Sequence, residues 1–427
     1  MYDVLVIGGG AAGFYTAIHI AENRPNTKIA ILERGKEVLT KVKVSGGGRC
    51  NVTHAEFNPS ELNKNYPRGE KELLGPFHTY ASGDTVGFFE DRGVPLKIEE
   101  DGRMFPVTDS SKTIIDCFLT EADRLGIQVK TRCAVSGIEL SGEDKNFWKV
   151  KVGDDVFLTK MLILATGSNP KMWSYIKALG HTIVPPVPSL FTFNIKDERI
   201  SEIPGVATHA EVQVLPNKNF AKRNTKIKQD VTSLVSDGPL LITHWGMSGP
   251  AILKLSAWGA RILEQYNYQF KIQVNWVPDY HKNGLLELFL KVKGVEKKTI
   301  LRTKVLDIPK RLWANLVKAA HIKDDMTWPE VSKQQLVSLA DQLTTGIFQV
   351  NGKSTFKEEF VTAGGVDLRE INFKTYQSKL LPNLYFAGEI INVDAITGGF
   401  NFQNAWTGGY IAAKGVVDEL NKNLESK

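Results

Sequence analysis

The first thirty-three residues constrain this chain more than any other stretch. Tyr2-Asp3-Val4-Leu5-Val6-Ile7 is a short apolar run that passes directly into Gly8-Gly9-Gly10-Ala11-Ala12-Gly13. From Phe14 to Asn23 apolar residues recur at helical spacing. The run predicts a buried parallel strand, so the order is strand, glycine turn, helix. Gly8 permits the tight turn, Gly10 lets a diphosphate approach the backbone, and Gly13 lets the helix pack closely on the strand. The helix start at Ala11 and Ala12 offers N–H groups and a positive dipole end to phosphates. A second strand, Lys28 to Leu32, ends at Glu33, twenty residues after Gly13. A carboxylate at that distance can accept both hydroxyls of an adenosine ribose. It would repel a 2′-phosphate, which disfavours NADP here. The fingerprint alone does not separate FAD from NAD.

The chain has 427 residues, enough for two or three domains. Its 42% hydrophobic and 23% charged residues are ordinary for a globular protein. The formal charge of +6 suits an enzyme handling anionic phosphates, but does not by itself indicate nucleic acid. Three cysteines, Cys50, Cys117 and Cys133, give no CxxC pair, so neither a metal site nor a dithiol centre is expected. Their sparseness suits a reducing compartment. No apolar run is long enough for a transmembrane helix. The first strand begins at Tyr2, which leaves no room for a signal peptide. The expected location is the cytoplasm, with no membrane partner.

Two further segments favour FAD. Met161 to Ser168 is an apolar strand ending in Ala165-Thr166-Gly167, and Leu384-Tyr385-Phe386-Ala387-Gly388-Glu389 lies near the C-terminus. Both resemble the strand-end motifs of glutathione-reductase-like FAD domains. There a late strand returns beside the first, and the acid after its glycine meets the flavin side. Glu389 fills that position, and Asp394 is a second candidate for a ribityl hydroxyl. Next comes Gly398-Gly399-Phe400-Asn401, then an apolar helix to about Leu420. A helix starting near Asn401 would aim its N–H groups at the charge that reduced flavin carries near N1 and O2. Gly398 and Gly399 would let the backbone approach the ring.

A third stretch, Lys41 to His54, contains Ser45-Gly46-Gly47-Gly48-Arg49-Cys50-Asn51. Its glycine N–H groups can form an anion nest. Arg49 can balance a diphosphate and Asn51 can bond polar flavin edges. Cys50 could sit beside the ring, or be a small buried residue. The expected contact set also includes Arg34, Lys41, Ala134 and Val135.

Taken together, GGGAAG, SGGGRCNVTH, ATG, THWGMSGP, VTAGGV and AGEIINVDAITGGFNFQNAWTGG resemble the bacterial NAD(P)/FAD-dependent oxidoreductases that include aminoacetone oxidase and a bile-acid 3-dehydro-Δ4,6 reductase. The similarity runs along essentially the whole chain. It implies one non-covalent FAD and an α/β fold, with a Rossmann-like FAD-binding domain interrupted by an insert of a β-barrel and a small helical subdomain. Ala395 stands where the family pattern has glycine.

The expected division is 1–187 plus 357–427 for the FAD domain, 188–282 plus 344–356 for the barrel, and 283–343 for the helical part. Pro185-Pro186-Val187-Pro188-Ser189 reads as a hinge. Leu190 to Ile195 and Glu211 to Val214 alternate like strands. Arg311 to Ile322 and Pro329 to Leu343 read as helices, the second starting at Thr327-Trp328-Pro329-Glu330. The chain returns near Phe360 to Val366. No second GxGxxG occurs in a strand–turn–helix context, so a resident NAD domain is not expected.

In Thr243-His244-Trp245-Gly246-Met247-Ser248-Gly249-Pro250, His244 could serve as an acid/base group, or the segment could be a turn into a helix from Ala251 to Gln265. The segment is expected to line an interdomain cleft. Lys218, Lys222, Arg223, Lys226 and Lys228 form a basic cluster without an accompanying RNA-binding motif.

The expected activity is hydride transfer through flavin N5, with a small organic substrate and/or NAD(P)H between FAD domain and insert; either NADPH binds transiently as reductant, or a small amine or carbonyl compound reduces the flavin before oxygen reoxidises it. Alternatives are a flavin-binding module docking RNA or protein, and a flavin monooxygenase.

Overall fold

A computed structural model describes residues 1–142, 147–216, 233–354 and 361–425. The basic cluster from Lys218 to Lys228, and Phe360, lie outside the described residues. The chain divides into two compact units, Met1–Val187 with Lys357–Lys427, and Pro188–Phe356.

The first unit is built on a parallel sheet. Its central strands run in the order Leu384–Phe386, Asp155–Leu164, Tyr2–Ile7, Ile29–Leu32, Gln128–Lys130. Val4, Leu5, Val6, Leu162 and Ile163 are fully buried, which explains their unbroken apolar character. Register aligns the strand ends: Ile7 stands opposite both Leu32 and Leu164, and Leu164 opposite Phe386. The turns after four strands therefore leave one edge of the sheet together. In open α/β sheets that carboxyl edge is where nucleotides bind. Antiparallel strands Phe147–Val152 and Val135–Ser141 extend the sheet beyond Asp155–Leu164.

Helix Ala11–Asn23 packs against the long helix Phe400–Glu425. The approach is close: a Cβ on Gly409 would lie 3.3 Å from the Ala12 carbonyl oxygen. Trp406 is fully buried here, its ring 5.0 Å from that of Tyr15.

The proline run expected to be a hinge is instead part of a strand, Ile183–Ser189, paired with Val361–Val366 in a two-stranded sheet. Proline lacks an N–H but is tolerated where a strand has only one partner. Gly364 makes the approach feasible, since a Cβ there would sit 2.6 Å from Pro186 Cα.

In the second unit the strands are antiparallel. Their order is 346–351, 269–275, 207–215, 235–243, 246–248, 192–194, 353–354. Gly352, at φ +115°, bends the chain from the first of these to the last, so the ladder returns to the same run of chain. Helices Lys282–Val295, Lys310–Ala319 and Lys333–Thr344 share one apolar cluster with these strands, including Phe193, Ile242, Phe289, Trp328 and Leu339. The helix expected from Pro329 begins only at Lys333. Trp328–Glu330 is a separate 3₁₀ turn capped by Thr327 and Glu330, extended Val331 breaks the run, and Ser332 caps the helix that starts at Lys333. Likewise the helix expected over 251–265 is two, Pro250–Trp258 and Ala260–Gln265, separated at Gly259. Among the described residues no helix is long and apolar enough to cross a membrane.

Candidate cofactor site

The glycine turn has the geometry of a phosphate-binding loop. Gly8 is at φ +113°, and a Cβ there would lie 2.3 Å from the Ala165 carbonyl oxygen. A Cβ on Gly13 would lie 2.0 Å from the Gly8 carbonyl oxygen, so helix and strand touch backbone to backbone. At Gly10 an added Cβ would meet nothing within 4 Å. Gly10 caps the helix without a side-chain hydrogen bond, leaving the first-turn N–H groups directed outward.

Glu33 sits beside this turn. Its Oε2 accepts from the Gly9 N–H at 2.9 Å and its Oε1 from the Gly35 N–H at 2.7 Å. The segment leading to Ala134 and Val135 runs alongside, with the Cys133 N–H donating to the Glu33 carbonyl at 2.8 Å. Arg34 and Ala134 are exposed to solvent at least in part, while Val135 is buried and pairs with Val152. On the other side, Thr166 and Gly167 come after Ala165, and Gly388 passes over the helix start, where a Cβ would stand 3.0 Å from Ala12 Cβ.

Glu389 continues this edge. Lys41 Nζ lies 2.5 Å from its Oε2, and the Thr362 N–H donates to its Oε1 at 3.1 Å. Lys41 belongs to helix Thr40–Gly48, which is broken at Ser45–Gly47. Gly46, Gly47 and Gly48 all take positive φ, values open to glycine. The Ser45 hydroxyl donates to the Val42 carbonyl at 3.0 Å. Space at Gly47 is open.

The loop then meets the start of the C-terminal helix. The Asn51 amide lies between the Gly399 N–H and the Thr53 carbonyl; in the orientation that satisfies both, it accepts from the Gly399 N–H at 2.9 Å and donates to the Thr53 carbonyl at 3.0 Å. A Cβ on Gly399 would lie 2.5 Å from that carbonyl oxygen, so only glycine fits. His54 Nδ1 lies 3.0 Å from the Gly398 carbonyl oxygen, and its ring stacks on Phe400. Asn401 closes the preceding turn through both ends of its amide, to the N–H and carbonyl of Ala395. Thus Asn51, Gly398, Gly399, Phe400 and Asn401 come together, as do Gly8, Gly13, Glu33, Ala165, Gly388 and Glu389.

Two of these residues have other partners than expected, and Cys50 takes the buried alternative of the two open to it. Asp394 is fully buried and bound by the Arg68 guanidinium, with Nε at 2.5 Å from Oδ1. A ribityl-hydroxyl role is replaced by a buried ion pair. Arg49 faces carboxylates rather than a diphosphate: Glu99 at 2.6 Å and Asp109 at 3.4 Å, with its guanidinium over the Phe105 ring. Cys50 is fully buried, and burial pushes its thiol up to about 12, which favours the unreactive protonated form. His244 occupies an exposed turn between strands Val235–Thr243 and Gly246–Ser248 of the second unit. The partners Arg68, His54, Thr53 and Thr362 were not among the expected contacts. His54 and Thr53, beside Asn51 in sequence, and Thr362, inside VTAGGV, lay in motifs already singled out; Arg68 did not.

The residues fit an FAD. Gly10 and Gly47 leave backbone open to a ligand, and Thr166 Oγ1 is a buried hydroxyl oxygen without a hydrogen-bond partner. Asn404 Oδ1, on the first turns of the C-terminal helix, is another buried oxygen of this kind. Glu33, Gly10 and the N–H groups at Ala11 and Ala12 would hold the adenosine diphosphate half. Asn51, Gly399 and Phe400 would meet the ring.

Comparison with known proteins places the chain in a family. The model of a family described as HI0933-like protein Rossmann domain matches residues 2–415. A Haemophilus influenzae protein named ribosomal RNA dihydrouridine synthase is 26% identical over 96% of this chain and 97% of its own. A Clostridium scindens protein named 3-dehydro-bile acid delta(4,6)-reductase is 25% identical over 98% of this chain and 100% of its own. Among solved structures, a 3-ketosteroid-delta4-(5alpha)-dehydrogenase from Rhodococcus jostii RHA1 covers 96% of both chains at 13% identity, with a TM-score of 0.48.

Proposed function

The chain belongs to the HI0933-like family and is an FAD-dependent oxidoreductase; from that premise we propose that it reduces a carbon–carbon double bond conjugated to a carbonyl, in a small organic substrate, with NAD(P)H as transient reductant. The observation that carries the flavin part of this reading is the meeting of Asn51 with the Gly399 N–H at the start of a 26-residue helix. When bound, FAD supplies two-electron hydride transfer at ring nitrogen N5. Donors at a helix start stabilise the negative charge that such a group gains on reduction, and the Gly399–Phe400 backbone is the element suited to do so.

The other residues divide the remaining work. Glu33 receives the ribose hydroxyls, exchanging backbone partners for them. Gly10 and the helix behind it receive the diphosphate. The Lys41–Glu389 pair tethers the glycine loop to the turn after strand Leu384–Phe386. A reductant that binds transiently suits a chain with no second glycine fingerprint in a strand–turn–helix context.

The substrate class is supported by the names of two relatives. A Δ4,6 reductase acting on a 3-dehydro bile acid and a dihydrouridine synthase both imply chemistry at a double bond conjugated to a carbonyl. The second name supports another reading, in which that bond lies in a uracil ring of ribosomal RNA. Anaerobic mixing with NADH and NADPH should bleach the bound flavin. Re-addition of an unsaturated ketone should restore the colour and yield the saturated product. Restoration by unmodified ribosomal RNA alone would favour the RNA reading; failure with both would overturn the proposed reaction.

A further inference from the structure

Gln403 is fully buried on the first turns of the C-terminal helix, and its amide is held at both ends by three threonines. Its Oε1 accepts from the Thr53 hydroxyl at 2.6 Å and from the Thr85 hydroxyl at 3.0 Å. Its Nε2 donates to Thr407 Oγ1 at 3.1 Å, and that hydroxyl donates to the Tyr80 carbonyl at 3.0 Å. Thr53 is the informative partner. Its carbonyl takes the Asn51 amide, and Asn51 in turn takes the Gly399 N–H. The same carbonyl oxygen stands 2.5 Å from where a Gly399 Cβ would be. No slack separates Thr53 from the helix start.

We propose that Gln403 is a positioning residue for the flavin edge: through Thr53 it fixes the Asn51 amide against Gly399, and so sets where the helix-start N–H groups point. This rests on the FAD reading. Gln403 is itself fully buried, with its amide on Thr53, Thr85 and Thr407. A buried amide with every polar atom satisfied holds one arrangement, because any other would strand a polar group. Thr53 Oγ1 has one further neighbour, Ser82 Oγ at 3.3 Å, too long to take over the alignment. Gln403 thereby couples three stretches distant in sequence: residues 51–54, helix Ser82–Glu90 and helix Phe400–Glu425.

The test uses the FAD-loaded protein and the visible absorption bands of its flavin, which report the polarity and hydrogen bonding at the ring. Gln403→Leu and Thr53→Val should each shift these bands and raise the FAD dissociation constant about tenfold, the effect of losing one buried hydrogen bond. The double variant should do no more than the larger single, since both act through one bond. Thr85→Val removes another hydroxyl from Gln403 without touching the path to Asn51. It should lower the melting temperature and leave the bands in place. If Gln403→Leu does not fold, Thr53→Val alone carries the same reading. Bands unmoved in Gln403→Leu or Thr53→Val, or moved as far by Thr85→Val, would overturn the assignment. Wild-type protein unable to hold FAD would overturn both this assignment and the FAD reading; wild type that holds FAD isolates the failure to Gln403.

Discussion

The Lys41 ammonium and the Glu389 carboxylate stand 2.5 Å apart although 348 residues separate them in the chain. Lys41 is more than half exposed, so the pair itself adds little to stability, of the order of 1 kcal/mol or less. Its value lies in place: it bridges the glycine loop and the turn after strand Leu384–Phe386. Glu389→Ala should therefore leave the apo melting temperature nearly unchanged while weakening FAD retention. Equilibrium dialysis beside a thermal melt separates the two; equal losses in both would contradict this role.

Gly13 offers a sharper steric test. A methyl group there would lie 2.0 Å from the Gly8 carbonyl oxygen. That atom is backbone and cannot swing aside. Gly13→Ala should destabilise the protein by roughly 1–3 kcal/mol or more, as overpacking does. Gly10→Ala meets open space and should instead act on cofactor affinity. Denaturant titrations of both, without and with added FAD, would show the contrast.

How much of this was readable beforehand depended on distance along the chain. The glycine turn, Glu33 and the strand ends at Ala165 and Gly388 are local patterns, each recognisable from its own strand and turn before its neighbours are known. Asp394 was misread because its partner, Arg68, lies 326 residues away. Arg49 failed similarly, since Glu99 and Asp109 reach it from a different hairpin. The proline run misled because a one-sided strand tolerates proline, and nothing in 183–189 announces Gly364 as its neighbour. Gln403 lay inside a recognised motif, but its threonines become partners only once the chain is folded.

Acid stability should depend on Glu370. Burial raises its carboxyl, but hydrogen bonds from the Thr182 N–H and from His181 outweigh that and hold it below its ordinary 4.5. A depressed folded-state value means that the unfolded chain takes up protons first. The contribution is full above pH 4.5 and is lost as pH falls below it. Glu370→Gln should thus be less stable than wild type near neutrality, with the gap narrowing on acidification. Urea titrations across that range would reveal it; a constant gap would contradict the assignment.

Cys50 should be chemically silent. Its thiol is fully buried and pushed up to about 12. Thiol-alkylating reagents should label partly exposed Cys133 in the native protein and reach Cys50 only after denaturation. Cys50→Ala should retain FAD and its reduction by NAD(P)H. Peptide mapping after timed alkylation decides the matter, and native labelling of Cys50 would contradict it.

The most direct measurement is of the cofactor itself. Protein purified without added flavin, then denatured and analysed by mass spectrometry, should release FAD at close to one per chain, and Glu33→Arg should release far less. Release of FMN, or an apoprotein that stays colourless after incubation with excess FAD, would contradict the shared site built from Gly8–Gly13 and Gly398–Asn401.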